Sequence, residues 1–145
     1  MDKVVIDLGR ILFSLLFIAS GLNHLLKTEA LTAYAKYKKL PAAKLGVIVS
    51  GVVILLSGLG ILLGIWIDLS ALLLVLFLFA TAIVFHNFWT ETDEMAKQTQ
   101  QSIFFKNIAL AGASLILLGL AAKHHGITAD NFGWVISKAH IAFWK

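Results

Sequence analysis

Four apolar runs recur along the chain at about 8–26, 45–67, 69–88 and 103–122, each close to the roughly 20 residues that an α-helix needs to cross a bilayer. Apolar and polar positions do not alternate with the period of two that a membrane barrel requires. Helices satisfy their own backbone polar groups in hydrocarbon, so they are the open-ended way to span it. The pattern predicts an all-α fold: one antiparallel, up-down bundle of four transmembrane helices, with 1–145 as a single integral membrane domain. A fifth pattern at 131–145 sets Trp134, Val135, Ala139, Ala142 and Phe143 against Lys138 and Lys145. It predicts an amphipathic tail lying in the interface.

Within the first run, Arg10, Phe13, Phe17, Ser20, His24 and Lys27 follow a 3,4,3,4,3 spacing. At 100° per residue they occupy an arc of about 100° on one helix face. An intramembrane arginine turned to lipid is costly, so this face is expected to look into the bundle. The alternative is that Arg10 snorkels to headgroups and the rings are ordinary packing. In the second run Gly46, Ser50, Val53, Ser57, Gly60 and Gly64 recur at 4,3,4,3,4. Small residues at that period allow close helix packing, and Gly51 with Gly58 supplies a second such face. This helix is therefore expected to touch two neighbours.

The segment 28–44 carries Lys36, Lys38, Lys39 and Lys44 around Pro41, with Tyr34 and Tyr37 suited to the headgroup layer, and reads as an interfacial connector. Residues 65–70 form a turn short enough to make the second and third helices a hairpin, with Asp68 and Ser70 as candidate caps. Asp2, Asp7 and Arg10 interrupt the basic n-region of a signal peptide, so the first span is expected to be retained. After residue 122 the chain leaves the membrane through Lys123, His124 and His125.

Composition narrows the chemistry. With 59% hydrophobic and 14% charged residues and a mean hydropathy of +0.89, the chain lies outside the range of soluble domains. It has no cysteine, which removes disulfides, thiolate metal sites and thiol relays. The net charge of +4 is spread over loops, so membrane lipids are the expected polyanionic contact and nucleic acid is not a partner.

Antiparallel alternation brings the ends of helices one and three and the start of helix four to one membrane face. That face collects His24, Lys27, His86, Trp89, Lys106 and Asn107, beside Glu91, Asp93 and Glu94. Arg10 and Asp68 fall near the other face. Imidazole can bind or protonate a carbonyl oxygen, lysine can hold an anion, and rings can stack on a flat ligand. A quinone-like headgroup meets those requirements. Two histidines on separate helices can also ligate haem, though no residue pattern fixes one, and no metal site is expected. Hydrogen-bonded boundary histidines are the plainer alternative. Lysines in and beside loops one and three outnumber the cations on the other side by seven to five, so the positive-inside rule places those loops in the cytoplasm.

Gly9-Arg10 with the run Phe17 to Gly21, the connector YAKYKKLP from Tyr34 to Pro41, SGLGILLG from Ser57 to Gly64, His86 with Trp89, and FFKN from Phe104 to Asn107 together resemble the DoxX family of small four-helix membrane proteins. The resemblance covers about residues 8–122. It implies a four-span bundle, often in the bacterial cytoplasmic (inner) membrane, with characteristic positions at Arg10, Gly21, His86, Lys106 and Asn107. Some members belong to a thiosulfate:quinone oxidoreductase, others are linked to quinone or oxidative stress, and most have no established activity. Many members carry lysine where this chain has His24, and glutamate where it has Ile54. Without that carboxylate the chain lacks a proton carrier and a partner for Arg10, which argues against a self-sufficient enzyme.

Two functions are expected to compete. One is a quinone- or redox-associated membrane subunit, with a partner supplying electrons. The other is a non-enzymatic scaffold or assembly factor, packing through its small-residue faces against a partner protein or a second copy of itself. A transporter would need a charged pathway through the middle, which the spans lack.

Overall fold

The computed structural model describes residues 2–122. The tail expected at 131–145 and the Lys123–His125 segment lie outside the described residues. Among the described residues five α-helices form: α1 Asp2–Leu26, α2 Thr28–Tyr37, α3 Ala43–Leu63, α4 Ile67–Phe85 and α5 Glu94–Ala122, with a 3₁₀ turn Phe88–Thr90 between the last two. Four stretches are long and apolar enough to cross a membrane, Val4–Leu26, Ala43–Leu63, Ile67–Thr90 and Glu94–Ala121. The four-span helical bundle expected from periodicity is what forms.

The connector differs from expectation. It is expected as a short interfacial connector, without a helix of its own being assigned, and ten of its residues are helical as α2. Glu29 in its first turn and Lys36 in its last complement the helix dipole. Ala35 packs with Ala43 and Val47 of α3, flanked by Leu31, Leu40 and Phe85. A single helical turn's worth of apolar residues is a weak pattern alone and becomes stable against α3. Thr28 Oγ1 donates to the carbonyls of His24 and Leu25, both at 2.9 Å, a back-bond that bends helices where α1 gives way to α2.

In space the order is α1, α3, α4, α5, with α2 laid on α3. Phe17, Ile54, Ile61, Ile67, Leu74, Leu78 and Ala111 form the shared core, with Phe13, Phe77, Leu110 and Leu117 packed around it. The Arg10 stripe does look inward: Arg10 and Phe17 are buried and Phe13, Ser20 and His24 are half-buried, while Lys27 is exposed. Close approach of α1 to α3 depends on Gly21, where a Cβ would lie 2.7 Å from Leu55 Cβ. The Gly51 and Gly58 face of α3 receives α1. On the other face Gly60 sits against Ser70 of α4, and Gly46 lies beside Leu40.

The α3–α4 hairpin is tighter than the six-residue turn expected. Gly64 ends α3 in the left-handed region at φ 74° and Trp66 precedes α4 at φ 45°. Ile65 N–H donates to Gly60 O at 2.8 Å, the six-to-one bond of a Schellman ending. Neither Asp68 nor Ser70 caps α4: Ile67 already begins the helix and no side-chain cap bond forms. Asp68 is instead wholly buried in the first turn, with Oδ1 accepting from Leu69 N–H at 2.7 Å.

Candidate functional site

Helix α4 stops at Phe85 where the sequence turns to His86-Asn87, and the chain folds into the 3₁₀ turn before entering α5. His86 is half-buried at this corner. Its Nδ1 lies 2.9 Å from Gln100 Oε1 on α5. With a carbonyl oxygen as partner, Nδ1 carries the hydrogen and Nε2 holds the lone pair in the neutral ring. Nε2 takes no partner among the described residues.

Four rings surround the corner. Phe88 meets Trp89 at 5.3 Å and Phe104 at 5.5 Å, Trp89 meets Phe104 at 5.8 Å, and Phe104 meets Phe105 at 5.4 Å, all edge-to-face. Such contacts are worth about 0.5–1.5 kcal/mol each beyond area burial. They hold the 3₁₀ turn against α5, while Trp89 remains exposed.

The end of α2 closes the same corner. Lys38, with a side chain only 10% exposed, donates to Asn87 Oδ1 at 2.9 Å and lies 3.7 Å from Glu91. Tyr34 OH donates to Phe85 O at 3.3 Å, satisfying one of the carbonyls that the end of α4 leaves without an intrahelical partner. Lys38, Asn87 and Gln100 are site residues that sequence reasoning passed over. Their polarity was visible, but nothing in local spacing links residue 38 to residue 87.

His24 is built differently. Its Nδ1 lies 3.1 Å from Ser50 Oγ, whose hydroxyl donates on to Val47 O at 3.1 Å. Phe77 of α4 approaches the imidazole edge-on, centroids 6.1 Å apart. Phe77 precedes His86 by nine positions on α4, about 13 Å along a helix axis. Among the described residues no hydrogen bond or ring contact joins the two imidazoles: His24 pairs with Ser50 and Phe77, and His86 with Gln100.

The other expected members also divide. Asn107 is buried and donates from Nδ2 to Thr81 Oγ1 at 3.4 Å, an α4–α5 tie. Lys106 is exposed one position away on α5, and Lys27 is exposed at the α1–α2 break. His86, Trp89 and the flank of α5 thus form one locus, and His24 with Ser50 another. Among the described residues no cluster of three or more His, Cys, Asp or Glu could hold a metal ion.

At the opposite end Arg10 acts as a side-chain cap. Nε and Nη2 donate to Ile61 O at 3.0 and 2.8 Å, and Nη2 to Leu62 O at 2.8 Å. These are terminal carbonyls of α3, where a cation also meets the negative end of the helix dipole. Asp7 lies 3.7 Å from Arg10 Nη1. A cleft of about 420 Å³ opens here between Asp7, Arg10, Ile11, Leu62 and Leu63. Ile54, where family resemblance implies a carboxylate, is wholly buried and precedes Ile61 by seven positions, about 10 Å along α3. A carboxylate there would not be a direct partner of Arg10. The hydroxyls of Ser14, Thr32 and Ser57 are buried without a hydrogen-bond partner among the described residues.

The DoxX family model matches residues 5–87, which covers α1 to α4 and ends just past His86. Among curated proteins, the chain is 26% identical to the inner membrane protein YphA of Escherichia coli (strain K12) over 114 residues, covering 79% of this chain and 81% of that one. No solved structure matches. A family match over more than half the chain, together with four apolar spans among the described residues, makes this a multi-pass membrane protein that belongs to the DoxX family.

Proposed function

We propose that the chain is a quinone-associated subunit of the bacterial inner membrane, holding a quinone-like headgroup at the α4–α5 corner while a partner protein supplies electrons. The observation that carries this reading is His86, half-buried and oriented by Gln100, at the same α4–α5 corner where the Phe88, Trp89 and Phe104 rings pack on one another. A neutral imidazole in that tautomer accepts a hydrogen bond from a quinol hydroxyl, and its protonated form donates to a quinone carbonyl. The exposed ring of Trp89 offers a face for the flat headgroup, and Lys106 adds a positive charge on the adjoining surface of α5. Asn107 contributes indirectly, through its α4–α5 tie to Thr81. His24, bonded to Ser50 and edge-on to Phe77, would meet a second position of the ligand. The inner membrane is supported by the relative from Escherichia coli, and the lysine bias of loops one and three favours a cytoplasmic His86 end.

The test is binding of a short-chain ubiquinone to purified protein in mild detergent. His86→Ala and Trp89→Ala should each weaken binding by about tenfold or more, equivalent to ~1.4 kcal/mol. Undiminished binding by folded variants overturns the reading. For orientation, the absence of native cysteine makes Thr92→Cys a unique label: a membrane-impermeant maleimide should reach it from the cytoplasmic side alone.

A scaffold role is the second reading, and α5 favours it. Gly112 and Gly119, one heptad apart, have nothing within 4 Å of where a Cβ would stand. A neighbouring transmembrane helix, from a partner or a second copy, could approach closely there. Gly112→Leu with Gly119→Leu should then abolish partner retention without touching quinone binding.

A further inference from the structure

Helix α2 closes on a lysine where the backbone asks for glycine. Leu40 N–H donates to Ala35 O at 2.9 Å and Lys39 N–H to Lys36 O at 2.8 Å, the paired bonds of a Schellman ending with Lys39 at its left-handed position. Lys39 adopts that conformation, at φ 60°, although a Cβ is disfavoured there and glycine is not. Leu40 packs against the cluster of Ala35, Ala43 and Val47, so the fold uses the ending. It makes no use of the ammonium, which is exposed and has no ion pair or hydrogen bond among the described residues.

The acids of this face are committed elsewhere. Lys38, Lys44 and Lys97 lie 3.7, 2.6 and 3.9 Å from Glu91, Glu29 and Glu94, and Asp93 Oδ2 accepts from Ala96 N–H at 2.8 Å. Lys36 and Lys39, one helical turn apart, remain as exposed cations without an anion among the described residues, and like charges so placed repel. Lys36 complements the dipole in the last turn of α2, whereas Lys39 lies past it. The positive-inside rule asks for cations near span ends, not for one in a strained conformation. In the same turn Tyr37 is 77% exposed. Its ring stacks on Tyr34 at 6.4 Å and 24°, and Tyr34 OH is tied to Phe85 O.

We propose that this turn is a docking surface for the headgroup of an anionic phospholipid, of the phosphatidylglycerol class. Lys36 and Lys39 supply positive charge to its phosphate, and the Tyr37 ring sits at the level where headgroup gives way to acyl chain. Charge complementarity selects an anion, because the lysines outnumber the acids left to meet them. The headgroup layer selects lipid: an amphipathic ring is stable there, and anionic headgroups attract ammonium groups. An acidic protein surface would satisfy the charge as well, but the headgroup layer is what this turn meets wherever the four spans are embedded. The surface uses none of the groups assigned to the quinone headgroup and stands whether or not one binds.

Native mass spectrometry of the full chain in mild detergent at low ionic strength tests this, with equal amounts of phosphatidylglycerol and phosphatidylcholine carrying identical acyl chains. A lysine beside an anionic headgroup is worth about fivefold in binding, so the glycerol lipid should be retained over the choline lipid by about twentyfold. Added salt should reduce that preference. Lys39→Gly should raise the unfolding midpoint, because glycine suits the left-handed position, and yet cut the preference about fivefold. Lys36→Gln should cut it by a similar factor. Lys97→Gln removes the same formal charge elsewhere on this face and should leave the preference within about twofold. The competition on the unmodified protein needs no variant. Equal retention of the two lipids overturns the proposal in favour of an acidic protein surface. A preference that survives Lys39→Gly, or that falls as far with Lys97→Gln, overturns it in favour of net charge acting without a site.

Discussion

Replacing Arg10 by Met keeps most of the aliphatic stem and removes the guanidinium that closes the end of α3. In the native protein Leu62 O is served by Arg10 Nη2 at 2.8 Å. Ile61 O receives Nε and Nη2 from Arg10 and only a long 3.4 Å contact from Gly64 N–H besides. Two backbone acceptors therefore lose charge-assisted bonds, each worth about 1.5–3 kcal/mol. The favourable meeting of a cation with the helix C-terminus is lost as well, at about 0.3–1 kcal/mol. Water entering the cleft beside Asp7 can replace part of this, so the expected loss is about 2–4 kcal/mol. Arg10→Lys should recover about half, because an ammonium cannot reproduce the planar fork that reaches both carbonyls. Reversible unfolding in mixed micelles, followed by circular dichroism, measures it. A Met variant within ~0.5 kcal/mol of the parent would refute the cap, and with it the assignment of Arg10 as a structural residue of the α1–α3 junction.

Gly21→Ala should cost about 1–3 kcal/mol, since the new methyl would stand 2.7 Å from Leu55 Cβ and 2.8 Å from its backbone. Gly112→Ala, with nothing within 4 Å, should be neutral or stabilising by up to about 1 kcal/mol; the same unfolding assay reads both, and equal effects would contradict the packing described. Lys38→Met should release the 3₁₀ turn by removing the bond to Asn87 and the contact with Glu91, seen as faster hydrogen exchange over residues 86–93 with little change elsewhere. Glu29 lies outside the spans, and its carboxyl is held below the usual range first by the hydrogen bond from Lys44 and then by that lysine's charge. A depressed carboxylate stabilises above its unfolded value and loses that contribution as pH falls through the folded one, so any difference between Glu29→Gln and the parent should be confined to neutral pH and vanish in acid. Both partners are largely exposed, so the difference there should be small, and a large one would show that the pair does more than surface screening permits.

Length and hydropathy were enough to determine the four spans, because a bilayer imposes about 20 apolar residues per crossing whatever the partners. Periodicity was enough to turn the Arg10 stripe inward and to give α3 two neighbouring spans, α1 and α4. Both are properties of a single helix in a uniform medium. Local sequence did not determine α2, which is too short and weakly patterned to stand without the surface formed by Ala43 and Val47. It misjudged the caps of α4, since a Schellman ending at Gly64 and a left-handed Trp66 start that helix earlier. The candidate site shows the same division. His86 and Trp89 were visible as polar and aromatic groups at a span's edge, but their partners were not: Gln100 is fourteen positions from His86, and Lys38 forty-nine from Asn87. Axial stagger decided the rest. Alternating spans place His24 and His86 at the same end, and only the packed bundle seats His24 against Phe77, nine positions before His86 in the chain. A one-dimensional pattern reports which face and which end a residue occupies. Its height against a neighbouring helix follows from how glycines, bulky rings and capped carbonyls let the two helices slide into register.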